Sequence, residues 1–176
     1  YKGASLTDEG SKIAQKITRK HRILERFLKD VLKIKDENLH AQACEMEHSL
    51  SDEAERAICH MLEHPDTCPD DHLIPACDFD FANCDDCVNN QSDIEDIGVR
   101  EFNLLSISQL ASGEEGEVLF IRGGDSSLSD AMDAGIAIGS KIRISDSADS
   151  NYNVFIDDSQ IEVSRDLANN IFVKTF

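Results

Sequence analysis

His40, Cys44, Glu47 and His48 crowd a short stretch, the last three at offsets of four, seven and eight from the first. On an α-helix those offsets place all four side chains on one face. Upstream, His21 and Glu25 are four residues apart and share a face in the same way. Imidazole, thiolate and carboxylate donors together suit a divalent transition metal. Nitrogen and sulfur select against magnesium and calcium, and the carboxylates neutralise part of the ion's charge. One His/Glu pair at helical spacing is ordinary surface chemistry. Four donors on one face, with a matching pair on a neighbouring helix, point to ion binding.

A second set is Cys68, Cys77, Cys84 and Cys87, the last two forming a C-x-x-C. Four thiolates can close a tetrahedral structural Zn2+ site. The same residues would serve as reduced thiols in a loop, as one disulfide, or as ligands of an iron–sulfur cluster, and these readings stay open. Six nearby acids (Asp70, Asp71, Asp78, Asp80, Asp85, Asp86) favour a cation over an already anionic cluster. Cys59 reads as a small core residue.

The elements that must carry these side chains are legible from periodicity. Ile13, Ile17, Leu24, Leu28 and Leu32 fall at helical spacing between Thr7 and Ile34, with Thr7 placed to cap and Asp8 and Glu9 in the first turn. A second helix is expected over 36–50. A third starts at Ser51-Asp52-Glu53 and stops before Pro65. Residues 65–97 hold all 3 prolines and little periodicity, which makes them a connector. Beyond Leu104 come short β-rich runs, 118–121, 141–144, 153–156, 160–163 and 171–173, broken by turn residues and one short helix near 127–134. Five such strands suit a small, partly open barrel. The expected fold class is therefore α+β: a helical domain over 1–69, a Cys-rich acidic connector over 70–103, and a five-stranded β-barrel over 104–176.

Charge separates the same regions. The chain of 176 residues carries a net −18, yet residues 1–35 hold ten basic side chains against four acidic ones, leaving the remainder far more acidic than the average. Such a body repels phosphate backbones, because nucleic-acid affinity rests on Lys and Arg. No apolar run reaches membrane-spanning length, and the N-terminal residues lack a signal-peptide layout. A cytoplasmic protein with reduced cysteines, without membrane contact, is expected.

The run Leu6-Thr7-Asp8-Glu9-Gly10, the segment His21 to Leu28, the His40 to Cys44 spacing, Glu47-His48, Leu50-Ser51-Asp52 and His64-Pro65 resemble the diphtheria toxin repressor family of metal-dependent transcriptional repressors. The resemblance implies a helical dimerisation and metal-binding domain. It assigns His21, Glu25 and His40 to an ancillary metal site and Cys44, Glu47 and His48 to a primary, activating site that also draws on an N-terminal winged-helix domain. That domain would lie upstream of Tyr1, with Tyr1 to Gly10 as the end of its wing, so the primary site is incomplete in this chain. A thiol at Cys44 matches the iron-type members, implying Fe2+ as the ion, with Mn2+, Co2+, Ni2+ or Zn2+ able to substitute. The implied protein is a homodimer that meets operator DNA only through the absent domain and catalyses no reaction. Ile23, Leu24, Leu39 and Met46 are the apolar residues expected at the dimer contact. The run Leu105 to Leu110, with the turns at Gly113/Gly116 and Gly135/Gly139, resembles the FeoA-type small barrel that commonly ends members of this family.

Two other classes use the same residues. A metal-dependent hydrolase needs three protein ligands and an open position, but a substrate loop and a separate general base are not recognisable. An iron-trafficking adaptor built around the barrel would lack any DNA function.

Overall fold

The computed structural model describes residues 5–147, 151–156 and 159–176. Tyr1 to Ala4 of the wing-like stretch lie outside the described residues. The chain divides into two compact units, one made of residues 1–79 and 98–103, the other of 80–97 and 104–176. The connector expected over 70–103 is thus shared between both.

The first unit is helical. Helix α1 spans Asp8–Asp30, and the Thr7 side chain accepts the Gly10 N–H at 3.1 Å, satisfying one of the amide groups a helix start leaves unpaired. The chain turns sharply after α1, with Lys33 at φ 56° and the Ile34 N–H donating to the Leu28 carbonyl. Helix α2 covers Asp36–Glu47, ending before the predicted Leu50. Helix α3 covers Asp52–Met61 under a Ser51 cap, and two consecutive left-handed residues, Glu63 and His64, carry the chain away before Pro65. So short a link makes α1 and α2 neighbours, and Leu24 and Leu28 pack on Leu39 and Ala43. Ile23 meets Cys59 and Ile74 on another side of α1. Ile23 and Leu24 are fully buried and Leu39 nearly so, leaving only Met46 of the four expected dimer residues at the surface. The apolar periodicity that suggested them for a partner is consumed by packing within the chain.

The second unit corrects the five-stranded barrel. Its sheet has six strands: β1 (Leu105–Ser106), β2 (Glu115–Ile121), β3 (Lys141–Ser147), β4 (Asn151–Ile156), β5 (Ser159–Ser164) and β6 (Ile171–Thr175). They are ordered β1-β6-β2-β3-β4-β5 with every pairing antiparallel. The sheet curls into an open half-barrel, with β1 and β5 as its edges. Bulges in β2 and β3 assist the curl. The added strand is a two-residue one, too short to show alternation. Inward side chains of β2 to β6, among them Val118, Ile142, Val154, Val163 and Val173, form the core with Ala131 and Ala168. These two come from α5 (Asp125–Asp133) and α6 (Arg165–Asn170). A further short helix, α4 (Cys84–Asn89), bears the C-x-x-C.

Candidate metal centre

The apolar pairs that join α1 to α2 also aim the polar ones. Leu24 and Leu28 are one helical turn apart, as are Leu39 and Ala43, and His40 and Cys44 follow Leu39 and Ala43 by one residue each. The donor stripe of α2 therefore lies beside its buried stripe, at the rim of the helix pair. Fully buried Ala43 offers only a methyl group, which lets the backbones approach.

Across that rim the donors converge. The ligand atoms of His21, His40 and Cys44 all lie within 4.8 Å of one another, the one such group of three found among the described residues. Cys44 Sγ is 3.9 Å from His21 Nδ1 and 3.8 Å from His40 Nε2. His21 is the hub: Nδ1 is 2.7 Å from Glu47 Oε2, and Nε2 is 3.1 Å from both Glu25 Oε1 and His40 Nδ1. Glu25 Oε1 also approaches His40 Nδ1, at 3.4 Å. These contacts gather nitrogen, sulfur and carboxylate donors from two helices at one cleft, a set whose chemistry fits a divalent transition ion. Two nitrogens, a sulfur and two carboxylates form a borderline set, suited to iron, cobalt, nickel or zinc.

Exposure grades the predicted ligands, with Cys44 among the exposed ones. The Glu25, Glu47 and His21 side chains are buried at 8%, 11% and 15% exposure, whereas His40 and His48 stand open at 79% and 70%. His48 approaches Glu47, at 3.3 Å, and stays outside the trio found among the described residues. Asp70 and His72 line the same cleft, although the sequence reading gives His72 no role. Their position comes from a tight hairpin, in which Thr67 pairs with Leu73 and the Cys68 N–H donates to the His72 carbonyl. Spacing along a helix cannot disclose a residue delivered by a loop.

Behind the cleft, Arg19 and Glu55 form a buried ion pair at 2.7 Å. Arg19 Nη2 also donates to Cys59 Sγ at 3.2 Å and Nη1 to the Pro75 carbonyl at 2.7 Å. Cys59 is thus a polar neighbour of this pair as well as a core residue.

The structural zinc site expected of Cys68, Cys77, Cys84 and Cys87 is not evident among the described residues. Cys68 and Cys77 belong to the helical unit and Cys84 and Cys87 to the sheet unit.

Residues 7–76 match the family described as "Iron dependent repressor, metal binding and dimerisation domain". That stretch is an iron-dependent-repressor metal-binding and dimerisation domain. Residues 105–175 match the FeoA domain, and the curled sheet is its body. The repressor-type domain is 41% identical over 70 residues to the "Iron-dependent repressor IdeR" of Mycobacterium tuberculosis, covering 40% of this chain and 30% of that protein. The "Diphtheria toxin repressor" of Corynebacterium glutamicum is 31% identical over 142 residues, 79% of this chain and 58% of that protein. A solved "Manganese-dependent transcriptional repressor complex with manganese" superposes with a TM-score of 0.42 at 24% identity, over 98% of this chain and 75% of that one. The chain spans under a third of the length of the mycobacterial relative. Within the repressor-type domain, the six candidate ligands carried by the helical stretch lie between His21 and His48. Among the described residues, no helix is long and apolar enough to cross a membrane.

Proposed function

We propose that this chain is the ion-sensing and dimerising part of an Fe2+-dependent transcriptional repressor that controls metal homeostasis in the cytoplasm. The observation that carries this reading is the convergence of His21, His40 and Cys44 on α1 and α2, inside the stretch that matches the repressor family. On this reading His21, Glu25 and His40 hold an ancillary ion. Cys44, Glu47 and His48 supply part of an activating site whose remaining ligands come from outside these residues. The exposure of His48 supports that division, since its ring is open to an ion held from a second direction. Cys44 supports iron over manganese, because a thiolate is a softer donor than the carboxylates and waters that suit Mn2+.

A divalent ion at either site would supply positive charge to the imidazole, carboxylate or thiolate groups that hold it. The residues do the rest. Leu24, Leu28, Leu39 and Ala43 hold α1 against α2, and Glu25 and Glu47 orient the His21 ring from opposite sides. Ligands shared between two domains would restrict their relative orientation, selecting one arrangement over others. In a homodimer this would set the spacing of two DNA-reading helices to successive major grooves, about 34–36 Å apart. The acidity of this chain supports leaving phosphate contacts to a winged-helix domain of the same polypeptide.

Anaerobic titration with Fe2+ or Co2+ and ion counting tests the site. Cys44→Ala and His21→Ala should each lose a different ion, and Cys44→Ala alone should abolish the thiolate-to-cobalt absorption. Two folded variants that both retain the parent's ion count would sink the assignment.

A further inference from the structure

Asp70 and His72 line the cleft of the candidate metal centre together with His21, Glu25 and His40, yet neither is among the residues assigned to its two ions. Both sit on the hairpin that follows α3. Thr67 pairs with Leu73, the Cys68 N–H donates to the His72 carbonyl at 2.9 Å, and the Ile74 N–H donates to the Asp66 carbonyl at 2.7 Å. The turn closes through the Asp71 N–H on the Cys68 carbonyl, at 3.0 Å, with Asp71 at φ 58°. Cys68 and Ile74 are buried and root the hairpin in the helical unit, whereas Asp70 and His72 are exposed.

Helix α1 holds this hairpin beside the ligand hub. Ile23 meets Ile74, and the adjacent Arg22 donates through Nη1 to the Leu73 carbonyl. One residue further back on each segment stand His21 and His72, and both line the cleft. The backbone that carries His72 is thus fixed from α1, while its exposed ring keeps the freedom to change rotamer. A cleft of about 500 Å3 has room for that movement. The donor set also leaves places to fill. His21 Nε2 is 3.1 Å from both Glu25 Oε1 and His40 Nδ1, and the latter two are 3.4 Å apart. Donors about 2.1 Å from an ion and at right angles to one another stand about 3.0 Å apart, so these three atoms have the spacing of one face of a six-donor shell. Two imidazoles and one carboxylate on one face leave further positions of an Fe2+ ion open. Charge is incomplete as well, because Glu25 brings one negative charge against two positive ones and neutral imidazoles bring none.

We infer that His72 and Asp70 are the fourth and fifth protein ligands of the ancillary ion, beside His21, Glu25 and His40; this rests on the two-ion reading proposed above. The Asp70 carboxylate brings the shell to neutrality. The His72 imidazole turns it toward nitrogen, which favours iron, cobalt, nickel or zinc over Mn2+. With both in place, the hairpin, α1 and α2 share one ion, so occupancy of the ancillary site fastens the segment after α3 to the first two helices.

The test titrates the full chain anaerobically with Co2+, following ion count, cobalt absorption and the histidine ring resonances. The His72 ring signals should shift together with those of His21 and His40 as the ancillary ion is taken up. His72→Ala should weaken that ion at least about tenfold, since even groups that only orient a ligand cost about 10–100-fold when removed. The thiolate-to-cobalt absorption of Cys44 should remain. Asp70→Asn should weaken the same ion by removing its charge. In a Cys44→Ala background, His72→Cys should restore a thiolate-to-cobalt absorption, a signal that a merely structural residue would not give. The exposure of His72 leaves the core untouched by these changes. Parent-like affinity in His72→Ala, or no absorption from His72→Cys, would overturn the inference, while the two-ion reading stands so long as His21→Ala still loses its ion. An ion count unaffected by His21→Ala would overturn both.

Discussion

Arg19 is the residue on which the helical unit depends most sharply. Burial works against its charge, yet Cys59, Glu55 and Cys77 around the guanidinium more than offset that, and its pKa stands above the ordinary arginine value. Such a pair need not add net stability against an apolar alternative, but removing one partner strands the other. Glu55→Ala should therefore cost about 3–5 kcal/mol in urea unfolding, and a loss below about 1 kcal/mol would place the Arg19 charge in contact with water instead. Asp52 gives a milder case with a defined pH dependence. Burial raises its pKa, and hydrogen bonds from Lys16 and Lys20 outweigh that, holding the carboxyl below its ordinary value. The unfolded state then binds the proton more readily, so the stabilisation is complete above the unfolded pKa and is lost as pH falls through the folded one. The stability gap between the parent and Asp52→Asn should be open at neutral pH and close below about pH 4. A gap independent of pH would assign the effect to packing.

Among the elements, β2 and β6 meet in a contact with no room for a side chain at Gly116. A methyl group on Gly116 would stand 2.9 Å from Val173 Cγ2 and 3.0 Å from the Lys174 carbonyl oxygen. Backbone cannot yield as a side chain end can, so Gly116→Ala should destabilise the sheet unit by about 1–3 kcal/mol, with hydrogen exchange accelerating first along β6. Unchanged protection there would show that the strands separate at no cost. Elements that extend over several turns or several alternations were legible in advance. The leucines of α1, the Thr7 cap and the runs inside β2 to β6 each repeat their period often enough to be read. Strand β1, at two residues, and helices α4 and α6, at six, are shorter than any such window. Their formation is decided by what they pack on and by caps such as Asn83 and Ser164. That His21, Glu25, His40, Cys44 and Glu47 share helix faces was legible for the same reason as the helices, because their spacing matches the helical period, whereas His48 falls just past the end of α2. Asp70 and His72 were not legible, because a hairpin, with Asp71 in the left-handed region, delivers them to the cleft.

At the scale of the whole molecule, the chain leaves the helical unit at Phe79, returns to it over 98–103, and leaves again at Leu104. Arg100 anchors the return, its side chain donating to the Cys77 and Phe79 carbonyls and its amide to the Asp78 carbonyl. Each unit nevertheless has its own apolar core, and every residue of the candidate metal centre belongs to the helical one. A ligand that binds only the folded form stabilises that form by RT ln(1 + [L]/Kd), about 2.7 kcal/mol at a hundredfold excess over Kd. Ion binding should therefore protect the helical core selectively. With Co2+ present, amide exchange at Leu24, Leu28 and Ala43 should slow by about a hundredfold where it proceeds through unfolding of that unit. Exchange at Val118 and Val173 should stay at its metal-free rate. His21→Ala should reduce the protection in the helical unit and leave the sheet unchanged. Equal protection of both cores would mean that the two units open as one, whereas protection confined to the sheet would place the ion away from α1 and α2.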